Sequence, residues 1–318
     1  MSAEANTVMR AAAIDGFGGP EVLTVRDLDR PATPRDAASG HHVLVRVEAA
    51  GVQLTDAAIR AGWNPPGAQI RFPQILGNEF SGTVAGAGPD VMDLRFGDAV
   101  AGFDMLGCYA EYVSVPRSQI VKKPPEVSWH AAGALSASGQ TAHTAFEDLD
   151  ITAGEVVLVC GAAGGVGTIY TQLAVHAGAT VIGTASEANH DYLRALGAIP
   201  VAYGDGQADR IHSVAPNVDV VFDAAGHENL RTAVELVADR DRIATIVDMP
   251  LAEELGCRII RSRRSAERLG LLMGLVANGD LQVHIRRTYR LDQAADAHRD
   301  VESGHGRGKI VLDVGQGR

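Results

Sequence analysis

At 318 residues the chain can hold one large or two medium domains with full cores, and its formal charge of −11 argues against a polyanion as main partner, because affinity for a phosphate backbone comes from clustered Lys and Arg. Hydrophobic residues make up 46% and aromatic residues 5%, which suits a tightly packed α/β protein, and no apolar run approaches a membrane span or the core of a signal peptide. Cys108, Cys160 and Cys257 are odd in number and far apart, against a disulfide framework or a cysteine zinc cluster, so a soluble cytoplasmic protein is expected.

In chain order, residues 9–14 and 21–25 read as short strands around the turn Gly16-Phe17-Gly18-Gly19-Pro20. Residues 30–41, rich in Pro, Asp, Ser and Gly, read as a loop, and residues 42–50 alternate apolar and polar as a half-buried strand does. Further strands are expected over 82–87, 99–103 and 110–115, separated by Gly-Pro-Asp and Phe-Gly-Asp turns. Many short strands at close spacing predict an all-β, barrel-like domain over residues 1–125, closed by Lys122-Lys123-Pro124-Pro125 as a linker.

Residues 129–135 and 139–149 then read as helices. Residues 156–167, V-V-L-V-C-G-A-A-G-G-V-G, run a buried strand into a glycine-rich turn, with a helix over 168–177. Set against G-x-G-x-x-G, the three positions are Ala162, Gly164 and Gly167. Gly164 leaves no Cβ where a pyrophosphate touches the backbone, Gly167 lets helix and strand pack closely, and the helix N-terminus presents free N–H groups to an anion. Ala163, Gly164, Gly165, Val166 and Gly167 are therefore candidate cofactor contacts. The second strand, over 180–184, leads into Ala185 and Ser186, where an NAD-preferring site places a carboxylate for the ribose hydroxyls. Without that carboxylate a 2′-phosphate is not repelled and Ser186 can donate to it, so NADPH is expected. A slip of two residues, to Glu187, keeps NAD open.

A helix over 192–197, strands over 199–203 and 218–224, a helix over 229–237 and a strand over 242–247 continue the alternation. It predicts a doubly wound parallel sheet over residues 126–262, with its ligand crevice at the carboxyl ends of the strands. Ala224, before Ala225-Gly226, and Val247, before the loop residues Asp248 and Met249, belong beside the cofactor. The run 258–268 carries five arginines, read as a solvated helix face or a domain-crossing segment. An amphipathic helix over 265–276 ends at Asn278-Gly279-Asp280.

The stretches G-F-G-G-P-E-V-L (16–23), A-A-G-V (49–52), L-G-N-E-F-S-G (76–82), G-D-A-V (97–100), Y-A-E-Y (109–112) and G-K-I-V-L (308–312) stand in an order and spacing that resemble the medium-chain dehydrogenase/reductase superfamily over nearly the whole chain. Within it they are most similar to the zinc-independent quinone oxidoreductase branch. The resemblance implies an α/β protein with a GroES-like β-barrel domain and a Rossmann domain, the first completed by a return segment over residues 263–318. It also implies cofactor contacts at Thr141, Tyr203 and Lys309, while Asn189 and His190 stand where the branch holds a phosphate-gripping lysine. Where the alcohol dehydrogenase branch binds catalytic zinc, the corresponding positions are Gln53, Asn78 and Ala137, which provide neither thiolate nor imidazole. No metal is expected, and Gln53 is the residue expected to contact the nicotinamide or the substrate oxygen.

The expected chemistry is NADPH-dependent hydride transfer to a quinone or enone, acceptors that delocalise the incoming charge without a metal. Ala58 and Asn64 replace tyrosines that line the acceptor pocket in the branch, with Trp63 as a substitute wall, so an alkenal or polyketide-type enoyl group is the alternative substrate. A third reading is a non-catalytic NADPH-binding protein that touches RNA through the arginine run. The resemblance further implies a homodimer joined through its cofactor sheets.

Overall fold

A computed structural model describes residues 7–32, 40–304 and 306–315. Residues 33–39 of the expected loop, and His305, lie outside them. The run V-V-L-V-C offers no polar position to water, and Val156–Cys160 accordingly becomes an inner strand of a six-stranded parallel sheet. Val157 and Val159 enter one core with helices Ser136–Asp148, Gly165–His176 and Ala266–Asn278. Leu158 and Cys160 enter the opposite core with helices Gln207–Val214 and Asn229–Leu236. Cys160 is thus a small core side chain, its thiol pushed well up by burial.

Across this sheet the strands are Ile199–Ala202, Thr180–Ala185, Val156–Cys160, Val220–Asp223, Ile243–Thr245 and Arg258–Ile259, all parallel. Val156–Cys160, the first of them in sequence, therefore has the second on one side and the fourth on the other. That reversal opens a crevice at its carboxyl end.

The other half is built on His42–Val52, which pairs antiparallel with Glu79–Ala87, Tyr112–Pro116 and Lys309–Asp313. Register shifts at Leu44/Val45 and Val47/Ala49 bend it enough to serve all three. Ala99–Phe103, Ile120–Lys122 and Ile285–Arg290 complete a seven-stranded sheet, and Thr24–Asp29, Val8–Ile14 and Gln74–Ile75 form a smaller one. This is the expected GroES-like barrel half. No helix among the described residues is long and apolar enough to cross a membrane.

Several local expectations shift. Residues 20–22 form a short 3-10 helix because Pro20 starts it, and the strand follows at Thr24–Asp29, an edge strand too exposed to show an apolar alternation. Leu54–Ala61 is a helix whose N-cap is Gln53, a residue outside the usual capping set, so no start signal marked it. The return to the first half comes later than residue 263. Leu269, Leu272, Met273 and Leu281 pack in the parallel half's core, and Gly139 lets Leu272 approach to 3.2 Å of where a Cβ would stand. The barrel sheet is joined from Ile285 onward.

His298 on the helix Ala294–Glu302 is fully buried, with its ring edge-on to Tyr109 and both ring nitrogens without a partner. Burial, with Arg60 nearby, brings its pKa down to about 4. The unfolded chain binds the proton more readily, so this group's contribution to stability is lost as pH falls from 6.5 to about 4. His298→Leu is expected to stabilise the protein by about 1–3 kcal/mol at neutral pH, with a margin that grows across that window in thermal unfolding series.

Candidate active site

A cavity of about 1620 Å³ lies between the two halves, at the carboxyl ends of the parallel strands. At its floor the turn glycine is Gly161, with φ +74°, rather than Ala162. Ala162 is instead buried against Gly183, whose own Cβ would lie 2.8 Å from it. The register of small residues is therefore Gly161, Gly164, Gly167, and a Cβ on Gly167 would collide with the Gly161 carbonyl oxygen. The helix Gly165–His176 starts behind Gly164, which supplies no side-chain cap. The N–H groups of Gly165, Val166 and Gly167 have no partner within the helix and carry its positive end. With Ala163 and Gly164 these residues line the cavity, so the cradle fits the diphosphate of a dinucleotide.

Ala185, Ser186 and Tyr203 line one end of the cavity together with Asn189. Ser186 Oγ accepts from Asn189 Nδ2 at 3.1 Å, which leaves its own O–H to donate. Glu187 is exposed and outside the lining, while Asp205 and Asp209 contribute to it. Arg210 uses its guanidinium on the carbonyls of Ala202, Gly204 and Asp205, at 3.0, 3.1 and 2.7 Å. On the facing wall the buried Asp223 accepts from the N–H groups of Ala225 and Gly226 and from the Thr245 hydroxyl, which shapes the turn after Ala224. Thr245 Oγ1 in turn accepts from Val247 N at 3.1 Å and Asp248 N at 3.3 Å, so that Val247 projects half-exposed into the cavity. Met249, expected in a loop, opens the helix Met249–Leu255. Asp248 caps it and Pro250 sits in its first turn, a signal that was present in the sequence.

Thr141 is not brought to the cavity. Its helix begins at Ser136 rather than 139, and the Thr141 hydroxyl donates to the Ala137 carbonyl at 2.7 Å. Ser138, three residues earlier, lines the cavity in its place.

Gln53 and Lys309 are brought together by a residue that motif reading passed over, Glu79. This carboxylate is completely buried. Its Oε2 accepts the Ala137 N–H at 2.7 Å, and its Oε1 accepts both Gln53 Nε2 and Lys309 Nζ, the latter at 3.1 Å. Lys309 also donates to Ser138 Oγ at 3.1 Å. A second buried acid, Asp56, accepts from Tyr109 OH at 2.7 Å, Asn78 Nδ2 at 2.8 Å and Gln53 N at 3.0 Å. Burial raises its pKa to about 6 in spite of those donors, with the neighbouring Glu79 adding to the rise.

Of the positions corresponding to zinc ligands, Gln53 serves Glu79. Asn78 is turned to Asp56 and to Arg264, whose Nη1 donates to Asn78 Oδ1 at 3.0 Å. Ala137 offers only its backbone. No group of three His, Cys, Asp or Glu that could hold a metal occurs among the described residues. The arginine run is largely tied down: Arg264 binds the Asp104 carbonyl at 2.6 Å and stacks on Phe103, Arg263 bridges Asp148, and Arg268 reaches Glu147 and His143. It is the domain-crossing segment.

Residues 39–125 match the alcohol dehydrogenase GroES-like domain, and residues 196–312 match the zinc-binding dehydrogenase family. The solved structure of a quinone oxidoreductase from Coxiella burnetii is 32% identical, with a TM-score of 0.87 over 96% of this chain and 99% of that one. The chain belongs to the quinone oxidoreductase branch of the medium-chain dehydrogenase/reductase superfamily. It is an oxidoreductase. The Escherichia coli quinone oxidoreductase solved in complex with NADPH is 25% identical, with a TM-score of 0.84 over 96% of this chain and all of that one. A stretch of the polyketide synthase GfsB of Streptomyces halstedii is 32% identical over 86% of this chain, which spans 5% of that much longer protein.

Asp56 takes up a proton near pH 6 in the folded oxidoreductase and near 3.8 by its ordinary value. Its contribution to stability is thus full below 3.8 and lost as pH rises to about 6. Asp56→Asn should gain on wild type as pH is raised through that window, by on the order of 3 kcal/mol in denaturant titrations.

Proposed function

We propose that this oxidoreductase uses NADPH to reduce a quinone or a conjugated carbonyl compound, without zinc. The observation that carries the reading is the charge balance under the cavity: Lys309 and Glu79 neutralise each other, so Gln53 can offer a substrate oxygen only a neutral amide. Such a donor polarises a simple aldehyde weakly, whereas a conjugated acceptor spreads the developing charge over its own π-system. A bound reduced nicotinamide would supply the hydride. The chain's part is to hold the diphosphate at Gly164, Gly165, Val166 and Gly167 and to align the acceptor beside Gln53. NADPH is favoured over NADH by the missing carboxylate after Ala185, by the free Ser186 hydroxyl, and by Asn189 and Tyr203 at the same end. The NADPH complex of the Escherichia coli relative supports this choice. A homodimer joined at the edges of the parallel sheets belongs to the same reading.

A second substrate reading rests on the apolar part of the cavity lining. Leu54, Ala58, Trp63, Val247 and Met249 form it, with Leu54 61% and Trp63 49% exposed. An alanine at position 58 leaves room for a branched or thioester-borne enoyl chain, and the match to GfsB points the same way.

The test is oxidation of NADPH and of NADH by the purified protein with a quinone, an alkenone and an enoyl thioester. Turnover with NADPH should exceed turnover with NADH, a saturated aldehyde should not react, and a chelator should change nothing. Ala58→Tyr should raise kcat/KM for the quinone relative to the alkenone, by roughly threefold to tenfold if one stacking contact is added. A wild-type preference for the enoyl thioester selects the second reading. Cofactor binding with no turnover of any conjugated acceptor defeats both and leaves the non-catalytic alternative.

A further inference from the structure

The Lys309–Glu79 pair lies in the barrel half beneath the cavity and meets the parallel half through Ser138 Oγ and the Ala137 N–H, and the only part given to it so far is to cancel its own charge. We propose that Lys309 is a positioning residue: it keeps Glu79 ionised, and Glu79 in turn holds the Gln53 amide in the orientation that faces the acceptor. The proposal rests on the functional reading for its kinetic consequence and on the geometry alone for the rest.

Four segments remote in sequence supply the parts. Gln53 follows the strand His42–Val52, Glu79 opens Glu79–Ala87, Ser138 lies in the helix Ser136–Asp148, and Lys309 opens Lys309–Asp313. The lysine stem runs under the cofactor helix, where Cδ is 3.0 Å from the place a Cβ on Gly165 would occupy. The ammonium, however, ends on Glu79 Oε1 and Ser138 Oγ, both at 3.1 Å, and the Lys309 side chain is only 3% exposed. In this arrangement its charge is held by the carboxylate.

Glu79 has no contact with water, and a buried carboxylate stays ionised only when a cation and hydrogen-bond donors compensate it. Ionised, it accepts and cannot donate. The Gln53 amide must then turn its NH2 toward Glu79, which leaves its second amide proton for an acceptor in the cavity that Gln53 lines. Protonated or replaced by an amide, Glu79 would also present a donor, and Gln53 would no longer have a single orientation.

The experiment uses full-length K309M, E79Q and K309M/E79Q. Two readouts do not depend on turnover: NADPH affinity by fluorescence titration, and the NMR signals of the Gln53 side-chain amide, assigned by their loss in Q53L. The expected result is that the Gln53 signals move in both single variants, while the NADPH dissociation constant stays near the wild-type value. Toward a conjugated acceptor kcat should fall by up to roughly 10²-fold in each, with the double variant no worse than the singles. Unmoved Gln53 signals overturn the proposal. So does a loss of NADPH affinity of roughly tenfold or more in K309M, which would make Lys309 a phosphate contact. If K309M does not fold, the Gln53 signals in E79Q decide. Absence of turnover in wild type defeats the functional reading and leaves these two readouts to judge Lys309.

Discussion

A carboxylate sealed from water at the junction of two cores is the constraint on which much of this molecule depends. Removing a charge from water costs several kcal/mol, and Glu79 recovers it from a buried ammonium, a side-chain amide and a backbone N–H. Those partners reach it only if the chain returns from the parallel half and inserts Lys309–Asp313 beside His42–Val52 in one register, with Ile310 opposite Val52. A slip of one residue would turn Lys309 to the other face of the sheet and leave Glu79 unpaired. The return strand is also tied to the cofactor turn, since Gly308 N donates to the Ala163 carbonyl at 2.8 Å. Barrel, cradle and acceptor site are therefore coupled through a few atoms.

The same arrangement organises the centre where the alcohol dehydrogenase branch holds its zinc. Asn78 is engaged by Asp56 and Arg264, and Gln53 by Glu79, so the polar groups around that centre satisfy one another. Gln53 shares the cavity lining with the apolar side chains of Leu54, Ala58 and Trp63. In the proposed reduction the protein would supply alignment, and the acceptor would have to carry charge by its own electronic structure. The two buried acids are handled differently: Glu79 is given a cation, whereas Asp56 is given neutral donors and is left with a raised pKa.

Where sequence reading went astray, a local signal had more than one reading. Ala162 and Gly161 both fit a glycine pattern one residue apart, and the backbone dihedral decides between them. Thr141 satisfies a family position, but a helix starting three residues earlier than expected directs its hydroxyl to a carbonyl of the preceding turn. The helix after Gln53 has a capping residue that propensities do not mark, and the strand after Pro20 lies at an edge where no apolar face is needed. The amphipathic pattern of the segment 266–281 states that a face is buried and not against what, and the fold packs that face in the parallel half's core.

Two features of this protein were legible in the residues alone, because each depends on short-range periodicity and on missing Cβ atoms: the parallel sheet built around Val156–Cys160, and the glycine cradle at its carboxyl end. The absence of thiolate and imidazole donors at positions 53, 78 and 137 was legible too, since side-chain chemistry does not depend on folding. Tertiary structure alone decided that Glu79, Ser138 and Lys309 meet Gln53. Their contacts span as many as 230 residues, and a pairing at that separation is set by sheet register and the packing of two cores, which no local pattern encodes.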